Sequence, residues 1–311
     1  MSNLTLRILT AVVAIPLILL ICNAGGFYFF AFVAVISGVA LSEFYGLAKA
    51  KGVKAMTVMG VIGGLCIDAA FYHRSLQTFI VGLFESYGVA IPFPGQAELV
   101  LIVLLSVIVI LSLVELFRND GSALLNLATT IFGLCYVSLF LASFIGIREL
   151  FTVQDPSVVS YFLKHLGVSE GAAIYRFGGV TTISLFAIIW ICDSAAFHFG
   201  KAWGKHKLFP RVSPNKSWEG AIAGFIFAIA GAVTARYLVL DYLSPWSAVM
   251  IGAIVGTIGQ LGDLVESLFK RDANVKDSSN LIPGHGGALD RFDSLLLVSP
   301  VVYLYLDFVV F

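Results

Sequence analysis

Leu99-Val-Leu-Ile-Val-Leu-Leu-Ser-Val-Ile-Val-Ile-Leu-Ser-Leu-Val-Glu-Leu-Phe117 is a run of 19 residues with one charge, Glu115, near its end. As a helix rising 1.5 Å per residue it is about 28 Å long, close to the ~30 Å hydrocarbon core of a bilayer. The whole chain of 311 residues repeats this bias, with 59% hydrophobic and 12% charged residues. Ordinary globular domains carry roughly 25% charged residues. A soluble protein this apolar could not cover its own surface, so lipid is the solvent for most of it.

Eight more apolar runs approach the length of a span: Ile8–Ala24, Phe27–Leu47, Ala55–Tyr72, Ala123–Ile147, Val180–Phe199, Gly220–Leu240, Ala248–Phe269 and Leu289–Phe311. The expected fold is an all-α integral membrane protein of about nine transmembrane helices with a cytoplasmic N-terminus. Leu76–Pro92 is also apolar, but Glu85 interrupts it and Pro92 and Pro94 close it, so an interfacial or re-entrant piece is expected there. Ile8–Ala24 is expected to be a retained span rather than a cleaved signal, because no small-x-small cleavage site ends it.

Charge placement tests this topology. Nine spans put 14 of the lysines and arginines on the cytoplasmic side and 5 opposite, the asymmetry of the positive-inside rule. A tenth span at Leu76–Pro92 would set the Lys49–Lys54 cluster opposite the Lys201–Lys216 cluster. The chain then divides into a scaffold of five spans (1–150), an exterior loop (151–177) punctuated by Asp155-Pro156 and Gly178-Gly179, and a region of four spans (178–311) that holds the dense polar chemistry. Net charge is zero and selects no partner. Cys22, Cys66, Cys135 and Cys192 lie scattered in apolar runs, as packing residues do.

Three polar constellations stand out. Asp193 interrupts a span, where an aspartate needs a partner or a water-filled cavity. The loop after it carries Lys201, Lys205, Lys207, Arg211 and Lys216, with Ser213-Pro214 reading as a helix start and Ser217 and Glu219 serving its first turn. Basic-loop orientation explains the lysines as well as phosphate binding does. In Gly262-Asp263-Leu-Val-Glu266-Ser267 the two acids are three apart, on one helix face, where they repel unless a cation or a proton intervenes. Lys270, Arg271, Lys276 and Asp277 lead to Pro283-Gly284-His285-Gly286-Gly287, and the last helix opens with Asp290, Arg291 and Asp293. Macrodipole compensation alone accounts for Asp290 and Asp293 singly, at about 0.3–1 kcal/mol each. Two carboxylate pairs flanking three cations and a glycine-rich turn fit a cation-bridged phosphate site better.

Ser267-x-Phe269-Lys270-Arg271-x4-Lys276-Asp277-x-Ser279-x2-Ile282-Pro283-x-His285-Gly286-Gly287-x2-Asp290-Arg291-Phe292-Asp293 resembles the characteristic motif of the phosphatidate cytidylyltransferases, or CDP-diacylglycerol synthases. Ser213-Pro214-x-Lys216-Ser217-x-Glu219-Gly220 and Gly262-Asp263-Leu264-x-Glu266-Ser267 resemble it too, while the first half matches only in hydropathy. Ala288 departs from the larger aliphatic residue usual in the family. The resemblance implies Mg²⁺-dependent transfer of CMP from CTP to phosphatidate, releasing pyrophosphate. It also implies a homodimer and a polar cavity open to cytoplasm and lipid, with no nucleic-acid partner. The setting would be a bacterial inner membrane with the site facing the cytoplasm.

On these positions Asp263 and Asp290 are the expected principal Mg²⁺ ligands, with Glu266 and Asp293 as further ligands or acceptors and a second cation left open. Lys216, Lys270, Arg271, Lys276 and Arg291 would hold phosphates. Ser213, Ser217, Asp277, His285, Gly286 and Gly287 would line the substrates, and Asp193 and Glu219 would orient lysines. Two other classes share some of these features. An ion-coupled transporter also carries intramembrane carboxylates. A CTP-dependent polyprenol kinase would release CDP rather than pyrophosphate.

Overall fold

The computed structural model describes residues 3–152, 155–282, 284 and 286–311. In chain order its helices are α1 (Asn3–Ala24), α2 (Gly26–Ala50), α3 (Thr57–Phe71), α4 (His73–Ser86) and α5 (Gln96–Phe117). There follow α6 (Ala123–Glu149), α7 (Pro156–Leu166) and α8 (Gly171–Trp203). A hairpin of β1 (Lys207–Phe209) and antiparallel β2 (Ser213–Ser217) leads to α9 (Trp218–Leu238), α10 (Pro245–Asp272) and α11 (Leu289–Val310). Among the described residues, seven helices are long and apolar enough to cross a membrane: α2, α5, α6, α8, α9, α10 and α11. Two shorter apolar helices, Ile8–Ala24 and Thr57–Phe71, occupy the expected first and third spans.

Burial sorts these helices. In α6, 72% of the most apolar window is buried, against 11% in α5, so α6 is the central post and α5 an outer wall. Leu101, Ile102, Leu105, Val109, Leu113 and Leu116 of α5 are exposed, as suits a face whose solvent is lipid. One contiguous apolar core joins both halves of the chain, from Phe29, Leu41 and Tyr45 of α2 through Leu141 and Phe144 of α6 to Leu296 and Val302 of α11.

Lipid tails are as apolar as leucine, so helices in a bilayer gain contact by close packing of small residues. A Cβ at Gly252 of α10 would stand 2.5 Å from Cα of Ile229 on α9, and one at Gly256 would stand 2.8 Å from Cα of Phe225. Gly220 of α9 packs likewise on α8, where a Cβ would stand 2.5 Å from the Ala196 carbonyl oxygen. Gly262 of α10 lets the Asp293 carbonyl of α11 approach, since a Cβ there would stand 2.6 Å from its oxygen. Helices α8 to α11 are thereby drawn together near the ends that carry the acids. A π-helical turn at Val255–Gly259 of α10 precedes Gln260, Asp263 and Glu266. Such a turn rotates everything after it relative to a regular α-helix, and it sets which way these side chains face.

Three local expectations change, and a fourth, that Leu76–Pro92 is no span, agrees with the helix found there. Residues 151–177 are not simply a loop: Asp155 caps α7, its Oδ1 accepting the Ser157 N–H at 3.0 Å, with Pro156 in the first turn and Gly167 left-handed at the end. Gly178-Gly179 lies inside α8 rather than ending a loop, because those glycines make room for Arg148 and for the backbone of Cys22 and Asn23. Ser213-Pro214 belongs to β2, and the helix after it starts at Trp218 with Ser217 as its cap. Within the apolar stretch Leu76–Pro92, α4 ends at Ser86; its 14 residues reach only about 21 Å and do not cross a bilayer. The four cysteines are free thiols, as the sequence suggests.

Gly252→Leu should break the α9–α10 contact and lower stability by about 1–3 kcal/mol, because the obstacle is backbone. Gly46, where an added Cβ meets nothing within 4 Å, should accept alanine within about 0.5 kcal/mol. Thermal unfolding of the purified protein in detergent reads both, and equal stability of the two variants would refute the packing account.

Candidate active site

Lys270 sits where α10 meets α11. Its Nζ lies 2.6 Å from Oε2 of Glu266, one turn earlier on α10, and 2.5 Å from Oδ1 of Asp290 in the first turn of α11. All three side chains are buried. A lysine held between two carboxylates in such a place locks the two helix ends at one separation.

The remaining capacity of Asp290 goes to the connecting loop. Its Oδ2 accepts the Ser278 N–H at 2.9 Å, the Ser278 hydroxyl at 2.9 Å and the Gly287 N–H at 2.7 Å. The motif glycines make this possible. Gly286 has φ of 84°, which disfavours other residues, and a Cβ on it would stand 2.6 Å from Asp290 Oδ2. A side chain on Gly287 would collide with the Ser278 hydroxyl and the Glu43 carboxylate. Ile282 and Gly286 close the loop through an N–H···O bond of 2.8 Å.

Glu43 was not foreseen as part of this site. From α2 its Oε1 accepts the Ser279 hydroxyl at 2.6 Å and the Ala288 N–H at 3.0 Å; its Oε2 accepts the Leu289 N–H at 2.8 Å and stands 2.9 Å from the Ser278 hydroxyl, whose one hydrogen it shares with Asp290. One buried carboxylate thus caps α11 and pins the loop, taking up amides that the helix itself leaves without acceptors. The signal was present in the sequence: Glu43 interrupts the apolar run Phe27–Leu47 as Asp193 interrupts its own.

A second group of acids lies beside this clamp. Asp263, Glu266 and Asp293 each offer an oxygen within 4.8 Å of the others. Lys216 of β2 reaches over to Asp263, Nζ to Oδ2 2.7 Å. Asp293 Oδ1 accepts the Ser294 N–H at 2.6 Å, and buried Glu266 Oε1 has no hydrogen-bond partner among the described residues. Asp263 and Asp293 open onto a cavity of about 740 Å³ that Asp193, Asp277, Asp290, Lys201, Lys216, Lys270 and Arg291 also line. Gln260 forms part of that wall, its Nε2 donating to the Ala221 carbonyl at 3.0 Å and tying α10 to α9.

Several expected residues stand elsewhere. Glu219 accepts from His206, ring Nδ1 at 2.6 Å and backbone N–H at 3.2 Å, and bridges the hairpin to α9 instead of orienting a lysine. Arg271 donates to the carbonyls of Val212 and Val275 at 3.4 and 3.2 Å and braces the loops from outside the cavity wall. Lys276 is exposed, and neither it nor Ser213 belongs to that wall. Ser217 lines the cavity and caps α9, its hydroxyl accepting the Gly220 N–H at 3.3 Å. His285 lies outside the described residues.

Known proteins are similar to this chain along almost all its length. A model described as the cytidylyltransferase family matches residues 5–309. A protein of Bacillus subtilis (strain 168) named phosphatidate cytidylyltransferase is 32% identical over 308 residues, 98% of this chain and 98% of that protein. A protein of the same name from Staphylococcus saprophyticus is 31% identical over 300 residues, covering 96% and 98% of the two chains. One from Staphylococcus aureus (strain COL) is 31% identical over the same length.

Glu43→Ala should strand the Ser279 hydroxyl and two amides at the start of α11, each unsatisfied group costing about 1–3 kcal/mol, while the Ser278 hydroxyl keeps Asp290. Amide hydrogen exchange should then accelerate at residues 278–290 while α6 keeps its protection. Unchanged exchange at Leu289 in that variant would remove Glu43 from the clamp.

Proposed function

The chain belongs to the cytidylyltransferase family, and from that premise we propose that it is a phosphatidate cytidylyltransferase of the membrane, making CDP-diacylglycerol and pyrophosphate from phosphatidate and CTP. The observation that carries this reading is the cavity wall itself, where lysines and an arginine stand beside clustered carboxylates at the ends of membrane helices. CTP is water-soluble and the phosphatidate head stays at the interface, so a catalyst joining them has to work at a helix mouth. We assign that mouth to the cytoplasmic side of a bacterial inner membrane on the charge asymmetry of the loops. With α1 and α3 taken as spans the count is nine, and the assembly proposed is a homodimer.

The chemistry asks chiefly for charge control. A phosphomonoester has a second pKa near 6, so the attacking oxygen of phosphatidate is already largely ionised at neutral pH and needs no strong base. That oxygen attacks the α-phosphorus of CTP, and pyrophosphate leaves in line. Lys216 and Arg291, both in the cavity wall, are suited to hold the phosphates of the two substrates. Lys270, already shared by Glu266 and Asp290, holds the cluster's geometry and supplies positive charge at its base.

The donor set fits Mg²⁺. The three clustered carboxylates offer hard oxygens, one of which, Glu266 Oε1, has no hydrogen-bond partner among the described residues. With Glu266 counted, six carboxylates face four cations around the cavity, an excess that a divalent ion offsets. We assign Asp263, Glu266 and Asp293 as the residues that would hold it, and Asp290 as the residue that positions Lys270 and the loop. When bound, the ion would neutralise charge gathering on the phosphates.

Purified protein given CTP, phosphatidate and Mg²⁺ should form CDP-diacylglycerol and pyrophosphate; folded protein that forms neither would sink the proposal, and CDP release would point to a lipid kinase. Asp263→Asn and Asp293→Asn should each weaken Mn²⁺ binding, read by electron paramagnetic resonance, at least about tenfold, and lower kcat about 10²-fold or more. Asp290→Asn should keep its Mn²⁺ affinity within about threefold while exchange at Ser278 and Gly287 accelerates, because its oxygens serve the protein. Loss of Mn²⁺ binding in Asp290→Asn alone would return the metal to Asp290.

A further inference from the structure

A groove of about 1030 Å³ runs along α2 and α3, away from the polar cavity. Its α2 wall includes Ala31, Gly38 and Gly46, its α3 wall Val61 and Leu65, and the exposed Leu281 stands at its loop end. The polar atoms along it are already occupied. The Ser42 hydroxyl donates to its own helix at the Gly38 carbonyl, 2.8 Å, and both Glu43 oxygens are taken by the loop and by α11. An apolar occupant therefore leaves no donor or acceptor unsatisfied.

Loop residues 277–279 divide this groove from the cavity. Asp277 lines the cavity, while Ser278 and Ser279 line the groove. The Ser278 hydroxyl is 2.9 Å both from Glu43, in the groove wall, and from Asp290, in the cavity wall. A molecule with a phosphate in the cavity and a chain beyond this loop would lie across both. From Gly46 to Ala31 the groove follows 15 residues of α2, about 22 Å at 1.5 Å per residue, longer than one leaflet of ~15 Å but short of the ~30 Å hydrocarbon core. A neighbouring membrane-spanning helix would need contact along both leaflets.

We infer that the α2–α3 groove is the acyl-chain site for the lipid substrate, with its head end at Ser278-Ser279. This rests on the proposed reaction for the identity of the lipid, though not for the groove's preference for a hydrocarbon chain. The small residues of α2 then act in substrate selection as well as in packing. A Cβ at Gly38 meets Val61 Cγ1 at 3.6 Å, an ordinary contact, so a larger side chain enters the groove without striking backbone.

The test uses full-length protein in vesicles with phosphatidate carrying a photoactivatable diazirine in mid-chain. Labelled peptides should map to the α2 and α3 groove residues, and excess unlabelled long-chain phosphatidate should compete the label away. Gly38→Leu should reduce that labelling several-fold and raise KM for long-chain phosphatidate about as much, while KM for dihexanoyl phosphatidate and for CTP stays unchanged. Ala34→Leu serves as a second filling variant should Gly38→Leu fail to fold. Label spread evenly over α5 and α2 without competition, or a KM shift independent of chain length, would overturn the inference. So would a Val35→Cys cross-link between two copies that persists in excess lipid, since the groove would then hold a second chain. Labelling is read without turnover, so groove labelling without CDP-diacylglycerol formation would count against the proposed reaction alone.

Discussion

An ammonium group shared by two carboxylates at the junction of α10 and α11 organises the polar end of this protein. Lys270, Glu266 and Asp290 are each expensive beside lipid, and together they satisfy one another only at a fixed spacing of the two helices. That spacing also sets where Asp263 and Asp293 stand, because they lie on the same two helix faces one turn away. The loop inherits the constraint: Asp290 spends its second oxygen on Ser278 and Gly287, and the glycines at 286 and 287 exist where a side chain would displace that carboxylate or Glu43.

Glu43 extends the same logic across the chain. A carboxylate two-thirds of the way along α2 finds its donors on a segment 235 to 246 residues later, so the N-terminal helices hold the catalytic end in register as well as surrounding it. Around this polar knot the packing follows the rules of a lipid solvent. Bulky apolar side chains face outward on α5, and glycines stand where α8, α9, α10 and α11 touch. The family's transfer of a nucleotide between two polyanions needs such a frame, since charges that are to meet substrate must be kept from collapsing onto one another.

The division of legible from illegible follows the range of each interaction. Membrane residence and most span positions are consequences of local composition, and Leu99–Phe117 by itself suffices for the first. Asp263 with Glu266, and Asp290 with Asp293, could be read as pairs because helical spacing is local. Which carboxylates converge could not. Spacing pairs Asp290 with Asp293, whereas the fold turns Asp290 toward Lys270 and the loop and leaves Asp293 with Asp263 and Glu266. Arg271 and Glu219 read as site residues because their motifs are dense in charge, yet their partners are Val212, Val275 and His206. Ser213-Pro214 reads as a helix start by composition, but pairing with Lys207–Phe209 makes it a strand.

The sequence by itself determined that this is a helical membrane protein whose densest polar motifs lie after residue 190, and it carried the motif of its family between Ser267 and Asp293. Hydropathy and short motifs are properties of neighbours along the chain, so no fold is needed to read them. Only the tertiary structure decided that Glu43 belongs to the site, that Lys270 is held by acids from two helices, and that a loop of three residues separates a polar cavity from an apolar groove. Each of these depends on which helix faces meet, and that is settled by close packing at glycines and by the need to pair every buried charge.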